Sequence, residues 1–144
     1  MEYNFYGSEN AYKIKIETMY KNIHNPIDLY NVLKNVWCKE TCAYRMKESW
    51  SKENMTLGQC SITSILFQDI FGGEIYGILL NDGNYHCFNV INGYSFDLTS
   101  EQFKGKELDY NKAIIQKREV HLANEEKLNR YNYLIKVFNE MENR

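Results

Sequence analysis

The sequence predicts an α+β fold in which one buried helix packs on an antiparallel sheet. Residues 60–71 are apolar around most of a helical circumference, which is typical of a helix that is packed on several sides. The following segment contains Asp82-Gly83 and Asn92-Gly93, two pairs that are favoured in tight β-hairpins. We therefore predict three antiparallel strands at about residues 74–81, 84–91 and 94–98.

The length and composition indicate a single folded domain. The chain has 144 residues, of which 44% are hydrophobic and 15% aromatic, enough to form one substantial core. We divide it into an N-terminal extension (residues 1–24), a core (25–103), and a surface segment with a C-terminal helix (104–144). The role of the extension is open.

Two helices are predicted to flank the core, one on each side in sequence. Asn25-Pro26 has the residues preferred at a helix start, and an apolar stripe follows it. Residues 124–126 open a C-terminal helix with a seam of apolar residues, namely Leu128, Tyr131, Leu134, Ile135, Phe138 and Met141. Alternation over residues 12–16 indicates a possible strand, whereas 104–118 are expected to cross the surface without regular structure.

Cys60 is a candidate nucleophile because it occupies the first turn of the predicted helix. Unpaired N–H groups and a partial positive charge at a helix start lower the pKa of a thiol. The alternative is an inert cysteine in an apolar core, which is the commoner case.

The predicted register brings His86 and Asp97 towards Cys60. A two-residue loop at Asn92-Gly93 pairs Ile91 with Tyr94, which makes His86 and Asp97 diagonal neighbours on one face. The same reasoning at Asp82-Gly83 pairs Leu79 with His86, and Gly77 with Phe88. A helix over 60–71 rises about 18 Å and a strand returning over 73–79 covers about 20 Å, so His86 should lie level with Cys60.

A thiol, an imidazole and a carboxylate in this arrangement form a nucleophile, a base and an orienting group. Each residue also has a structural interpretation, since strand histidines and turn aspartates are common. Gln59 and Asn54 precede the nucleophile and are candidate oxyanion donors, although Asn54 also suits a loop. Trp50 either shields the nucleophile or fills the core.

Several motifs resemble the YunG-like family of small bacterial proteins. They lie at residues 37–41, 49–54, 57–60, 67–73 and 96–103, and include G-Q-C, Q-D-x-x-G-G and D-L-T-x-x-Q-F. The match spans about residues 28–103, with a weaker similarity at residues 130–134. Met55 replaces a common proline, and Cys87-Phe88 replaces an aromatic pair after the histidine.

The resemblance to this family brings no well-established activity, but it adds motif agreement at Cys60, His86 and Asp97. The order Cys, His, Asp is similar to that of transglutaminase-like and papain-like cysteine enzymes. That similarity implies a papain-like or transglutaminase-like fold and a covalent thioester at Cys60. The implied substrate bears an acyl or amide group, with a peptide or a protein among the candidates.

Composition argues against several other classes of protein. The net charge is −2 and no basic stretch is present, so nucleic-acid and anionic-membrane binding are not indicated. We see no signal-peptide or transmembrane pattern, and expect a cytoplasmic protein with reduced cysteines and no cofactor. Cys38 and Cys42 lie four residues apart on a predicted helix, but this is not a zinc-knuckle spacing, and we expect no metal.

Three hypotheses of different class remain from the sequence. The first is a cysteine hydrolase or acyltransferase using Cys60, His86 and Asp97. The second is a binding or interaction protein of the same fold that retains the three residues for packing. The third is a metal-binding or redox protein that uses several of its four cysteines.

Overall fold

The computed structural model describes residues 5–142 and has a mixed α+β architecture. Its helices and strands are α1 (Pro26–Leu33), α2 (Cys60–Phe71), β1 (Glu74–Leu79), β2 (Tyr85–Ile91), β3 (Tyr94–Phe96), β4 (Ile114–Gln116), α3 (Arg118–Leu122) and α4 (Glu125–Glu142). Short 3-10 helices occupy several of the connections, including Lys39–Thr41 and Tyr44–Ser49 between α1 and α2. None of the helices in the described range is long and apolar enough to cross a membrane.

The four strands form one antiparallel sheet in the order β3-β2-β1-β4. Three of them were predicted. The fourth, β4, pairs with the outer side of β1, with Ile75 opposite Gln116. The expectation that residues 104–118 lack regular structure is therefore wrong at β4, because three residues are too few to show a strand period.

The hairpin between β1 and β2 differs by one residue from the predicted register. Ile78, not Leu79, lies opposite His86, and Gly77 lies opposite Cys87 instead of Phe88. A type I′ turn at Asp82-Gly83 needs a positive φ at both residues, but only Gly83 has one. The loop therefore has three residues, and the Leu80 N–H donates to the Asn84 carbonyl at 2.8 Å to close it.

The hairpin between β2 and β3 has the predicted register, with Ile91 opposite Tyr94. Both loop residues have the positive φ that this turn requires, 54° at Asn92 and 82° at Gly93. Strand β3 is shorter than predicted and ends at Phe96 opposite Asn89. The next residue, Asp97, leaves the sheet and forms an isolated bridge with Tyr6.

Helix α2 is the buried central helix that the sequence predicts. Its nine buried residues lie on every side of the helix. The buried Asn89 side chain of β2 donates to the carbonyl of Ser64 at 2.9 Å, which fixes the height of α2 against the sheet. Gly72, with a φ of 84°, ends the helix.

The N-terminal segment belongs to the same core. Phe5, Ala11, Ile14 and Ile23 are almost fully buried and pack with residues of α1, α2 and α4. The predicted strand at residues 12–16 is wrong, because the chain forms a 3-10 helix at Ser8–Lys13. The alternating pattern there arises because Ile14 is buried between two exposed lysines in a segment that is not a strand.

The two flanking helices begin where the sequence predicts. The Asn25 side chain accepts from the Asp28 N–H at 3.0 Å, and the Asn124 side chain accepts from the Lys127 N–H at 3.0 Å. In α4 the buried side is formed by Arg130, Tyr131, Leu134 and Phe138. The predicted seam is wrong at Leu128, which is 37% exposed.

Gly58 shapes the loop that leads into α2. Its φ is 71°, and a Cβ atom there would lie 2.5 Å from the Cys42 sulfur and 2.9 Å from the Ala43 nitrogen. Gly93 has a similar positive φ, but a Cβ atom there would meet nothing within 4 Å. A side chain would be strained at both positions, but it would clash with neighbouring atoms only at Gly58. Substitutions at the two glycines therefore distinguish backbone strain from a steric clash.

We predict that Gly58→Ala costs about 3 kcal/mol or more of unfolding free energy, because strain and a clash with backbone add. The matched control, Gly93→Ala, should cost about 1–2 kcal/mol from strain alone. Urea denaturation of both variants measures the difference. Equal losses in the two variants would contradict the tight approach at Gly58.

Candidate active site

Cys60 is the first residue of α2 and lines a cleft with a volume of about 980 Å³. The residue is partly exposed, whereas Cys42 and Cys87 are buried. The first-turn N–H groups of a helix have no acceptor within the helix, so those of Cys60 and Ser61 are available at this position. The nucleophile predicted from sequence can therefore be reached from solvent at a helix start.

His86 and Asp97 form a buried pair beside this cleft. His86 Nε2 lies 2.7 Å from Asp97 Oδ2, and the two side chains are 1% and 0% exposed. Tyr110 donates its hydroxyl to the same carboxylate oxygen at 2.7 Å. With Nε2 committed to Asp97, the ring nitrogen left for another partner is Nδ1.

The other oxygen of Asp97 is held by Thr99. The Thr99 N–H and its hydroxyl each donate to Asp97 Oδ1 at 3.3 Å. A 3-10 helix begins at Ser100, and the Thr99 side chain does not cap it. Both oxygens of the buried carboxylate thus have donors, which offsets the cost of removing its charge from water.

The buried pair favours a protonated His86. Burial alone would lower its pKa, but the charge and hydrogen bond of Asp97, together with the hydrogen bond and charge of Cys60, raise the pKa of His86 to about 10. The imidazole is therefore a cation at neutral pH.

Cys60 is shifted in the opposite direction. A hydrogen bond from the Cys87 thiol, then a hydrogen bond and the charge of His86, and the Cys87 backbone N–H lower the pKa of Cys60 well below its usual value, against the effect of burial. The pKa of the Cys87 thiol is correspondingly raised by its interaction with Cys60 and by burial. The result is a Cys60 thiolate next to a His86 imidazolium.

The short strand β3 explains how adjacent residues of β2 both reach Cys60. Side chains at 86 and 87 point to opposite faces of the sheet, so strand alternation directs the Cys87 side chain away from that of His86. Strand β3 ends opposite Asn89, and positions 85–88 of β2 therefore have no residue of β3 beside them. The Cys60 sulfur uses this open edge, where the Cys87 N–H is available as a donor.

The structure does not bring the other three candidate residues to the cleft wall. The buried Gln59 amide donates to the Cys38 carbonyl at 3.1 Å. Asn54 is a turn residue, whose carbonyl accepts from the Leu57 N–H at 3.2 Å. The Trp50 indole donates to the Met55 carbonyl at 2.9 Å, next to a different hollow near Trp37 and Lys52. The amides of the first turn of α2 are better placed as oxyanion donors.

His121 is a cleft residue that the sequence analysis left without a role. It is 8% exposed and its Nε2 lies 2.8 Å from Gln116 Oε1 and 3.9 Å from the Cys87 sulfur. Gln116 reaches this position over Gly77, where a Cβ atom would lie 2.1 Å from its amide nitrogen. No sequence signal identified His121, because its place depends on the pairing of β4 with β1.

Cys38 and Cys42, the pair from which the metal-binding hypothesis starts, do not line the cleft that contains Cys60 and Cys87. Cys38 and Cys42 lie at the two ends of the 3-10 helix Lys39–Thr41, and not on one α-helix as predicted. Burial raises the pKa of Cys42 to about 11. Across residues 5–142, no three His, Cys, Asp or Glu side chains are arranged to hold a metal ion.

The fold and the site together define a small α+β protein with a cysteine at the start of its central helix and a buried His–Asp pair beside it. The YunG protein family model matches residues 25–142. A relative from Bacillus subtilis (strain 168), "Uncharacterized protein YunG", is 33% identical over 108 residues, which cover 74% of this chain and 85% of that protein. The chain belongs to the YunG family. No solved structure matches it.

The shifted pKa values predict how the alkylation of Cys60 depends on pH. A thiolate forms above the pKa of its thiol, so the iodoacetamide rate at Cys60 should reach its maximum at a lower pH than that of an ordinary thiol. Cys87→Ala removes the strongest interaction that lowers the pKa, and should move the rate profile to higher pH. Cys87→Ser retains a donor and should move it less.

Peptide mapping of the alkylated protein measures each profile. Cys42, whose pKa is raised, provides an internal comparison that should react slowly across the same range. A Cys60 profile with the midpoint of a free thiol in the unmodified protein would refute the ion pair.

Proposed function

We propose that this protein is a cysteine-dependent hydrolase or acyltransferase that forms a covalent thioester at Cys60. The observation that carries the proposal is the buried bond of 2.7 Å between His86 Nε2 and Asp97 Oδ2, which leaves Nδ1 for Cys60. An orienting carboxylate, an imidazole and a thiol in series are the components of nucleophilic acyl transfer. The open cleft at Cys60 gives a substrate access to the sulfur.

The chemistry follows from the ion pair. The Cys60 thiolate attacks the carbonyl carbon of an acyl or amide substrate, and the negative charge moves to the carbonyl oxygen, near the first-turn N–H groups of α2. His86 donates its proton to the leaving group as the tetrahedral intermediate collapses to the thioester. Water or an amine then attacks the thioester, and His86 accepts the proton of that second nucleophile.

The order of the residues along the chain adds support. A helix that begins with the nucleophile, followed by antiparallel strands that supply a histidine and then an aspartate, resembles the arrangement of papain-like and transglutaminase-like enzymes. We extend that resemblance to the fold and the reaction class as part of the proposal. Hydrolysis and acyl transfer share the first half of the reaction, so the proposal includes both.

A second candidate function is thiol redox chemistry, which the contact between Cys60 and Cys87 favours. Two thiols in contact can be converted to a disulfide by a disulfide oxidant, with loss of two hydrogens. Treatment with oxidised glutathione and intact mass analysis distinguishes the candidates. A stable Cys60–Cys87 disulfide, with no acyl-enzyme in the following experiment, would favour the redox function.

An activated ester tests the acyl-transfer proposal. We predict that p-nitrophenyl acetate acetylates Cys60, as detected by peptide mapping, and that hydroxylamine releases the acetyl group. His86→Gln should slow acetylation by about 10²-fold, since it removes the base and the positive charge that stabilises the thiolate. Asp97→Asn should also slow it, because the raised pKa of His86 depends on that carboxylate.

Two controls make this test specific. Cys60→Ser should lose the labelled peptide, whereas Cys38→Ser, outside the cleft, should retain the rate of the unmodified protein. Circular dichroism verifies that each variant is folded. Acetylation of Cys60 no faster than that of Cys38 in the folded protein would show that the site is not an activated nucleophile.

A further inference from the structure

The cleft around Cys60 has a cationic wall although the whole chain carries a net charge of −2. Among residues 5–142, four lysine and arginine side chains line it in addition to His86, together with one carboxylate. These residues are Arg45, Lys117, Lys127, Arg130 and Glu126. The local excess of positive charge therefore does not follow from the overall composition.

Two of the cations have carboxylate partners. Arg130 Nε lies 2.5 Å from Glu126 Oε2, and Arg130 also donates to the Gly58 carbonyl at 3.3 Å, which supports the loop before the nucleophile. Arg45 lies 3.8 Å from Asp82 at the cleft rim, where both side chains are about half exposed. Lys117 and Lys127 are the cations of the cleft wall whose charges these two carboxylates do not offset.

Lys127 is the better placed of these two lysines, because a neutral group holds it. Its Nζ lies 2.9 Å from His121 Nδ1, and an ammonium group can only donate, so the imidazole must accept. His121 is then neutral and donates from Nε2 to Gln116 Oε1. Burial, and next the charge of Lys127, lower the pKa of His121, in agreement with this assignment.

This arrangement positions the ammonium group without cancelling its charge. Within residues 5–142, no carboxylate lies within ion-pair distance of Lys127. A chain of contacts then leads from Lys127 through His121 to Cys87, whose sulfur is 3.9 Å from His121 Nε2, and on to Cys60. An uncompensated cation thus lines the same cleft as the candidate nucleophile.

Other parts of the cleft are apolar. Met46, Leu80 and Phe103 contribute to its wall, and Ile115 and Val120 remain 57% and 70% exposed at its margin. Exposed apolar side chains beside a cationic group suit a ligand that has both an apolar portion and a negative charge.

We propose that the substrate of Cys60 is an acyl compound that carries a carboxylate near the reacting carbonyl, and that Lys127 binds this carboxylate. Lys127 is a specificity-determining residue, and His121 is a positioning residue that holds its side chain. This inference rests on the proposed function, since it concerns the substrate of the same nucleophile. A charge-assisted hydrogen bond to the carboxylate supplies the selectivity.

A pair of alkylating agents that differ in charge tests this inference without knowledge of the natural substrate. Iodoacetate carries a carboxylate and iodoacetamide is neutral, and both lose iodide as the thiolate forms a carbon–sulfur bond. A second pair, N-bromoacetylglycine and its amide, places the carboxylate further from the reacting carbon. The measurement is the ratio of the anionic to the neutral rate at Cys60, relative to the same ratio for N-acetylcysteine amide, a thiol without a carboxylate.

We expect the ratio for at least one pair to exceed that of N-acetylcysteine amide, and to fall by about tenfold in Lys127→Met. Lys127→Glu should lower it further. Lys136→Met is the matched control, because Lys136 is exposed on the same helix and lies outside the cleft. A change in the pKa of Cys60 cancels in the ratio, since both agents react with the same thiolate.

The outcomes separate this inference from the proposed function. Rapid alkylation of Cys60 by iodoacetamide, with charge ratios that are the same in the unmodified protein and Lys127→Met, would overturn the carboxylate inference and leave the nucleophile in place. Slow alkylation of Cys60 by every agent would overturn the proposed function as well. A ratio lowered equally by Lys136→Met would show a long-range charge effect, and would also overturn binding by Lys127.

Discussion

The packing of α2 against β2 is the constraint on which the rest of the site depends. An all-round apolar helix can be buried only if its height and rotation against the sheet are fixed, because a shift of one residue would expose part of its surface. The amide of Asn89 provides this fixation by donating to the carbonyl of Ser64 inside the core. If the buried Asn89 amide lacked that acceptor, the free energy of unfolding would fall by about 1–3 kcal/mol. The position of Cys60 beside His86 follows from this packing.

The unpaired edge of β2 is the second requirement of the site. In a continuous sheet, those backbone groups of residues 85–88 that face away from β1 would bond to a second neighbouring strand. Here β3 ends early, and Asp97 turns away to pair with Tyr6. The Cys60 sulfur can therefore approach both the backbone of β2 and the Cys87 side chain, which alternates to the opposite face from His86. The early strand end also places the Asp97 carboxylate where the His86 ring needs it.

The sequence was sufficient for those parts of the fold that depend on local signals. Helix caps at Asn25 and Asn124, the length of α2 and the Asn92-Gly93 turn are all encoded within a few adjacent residues. The shift at Asp82-Gly83 was not predicted, because the same dipeptide also fits a three-residue loop in which only the glycine has a positive φ. The relative height of Cys60 and His86 is insensitive to that shift, since one residue of strand adds only about 3.3 Å.

The unpredicted features depend on long-range pairing. β4 can be recognised only from its pairing with the edge of β1. His121 and Gln116 reach the cleft through the same pairing. Asn54 and Trp50 show the opposite effect: they are close to Cys60 in sequence, but the loop that contains them closes on itself. Proximity along the chain was a poor guide there because a turn can direct neighbouring residues to different surfaces.

The N-terminal segment supports Asp97 although it precedes the part of the chain that the family model matches. The Asp97 N–H donates to the Tyr6 carbonyl at 2.9 Å, the Tyr6 N–H donates to the Ser100 hydroxyl at 2.8 Å, and the Tyr6 ring stacks on Tyr110. This leading stretch thus acts as a clamp on the loop that delivers the carboxylate. A change in this segment would therefore alter how the Asp97 loop is held. Such a change would shift the basicity of His86, whose pKa depends on Asp97, while every motif residue stays the same.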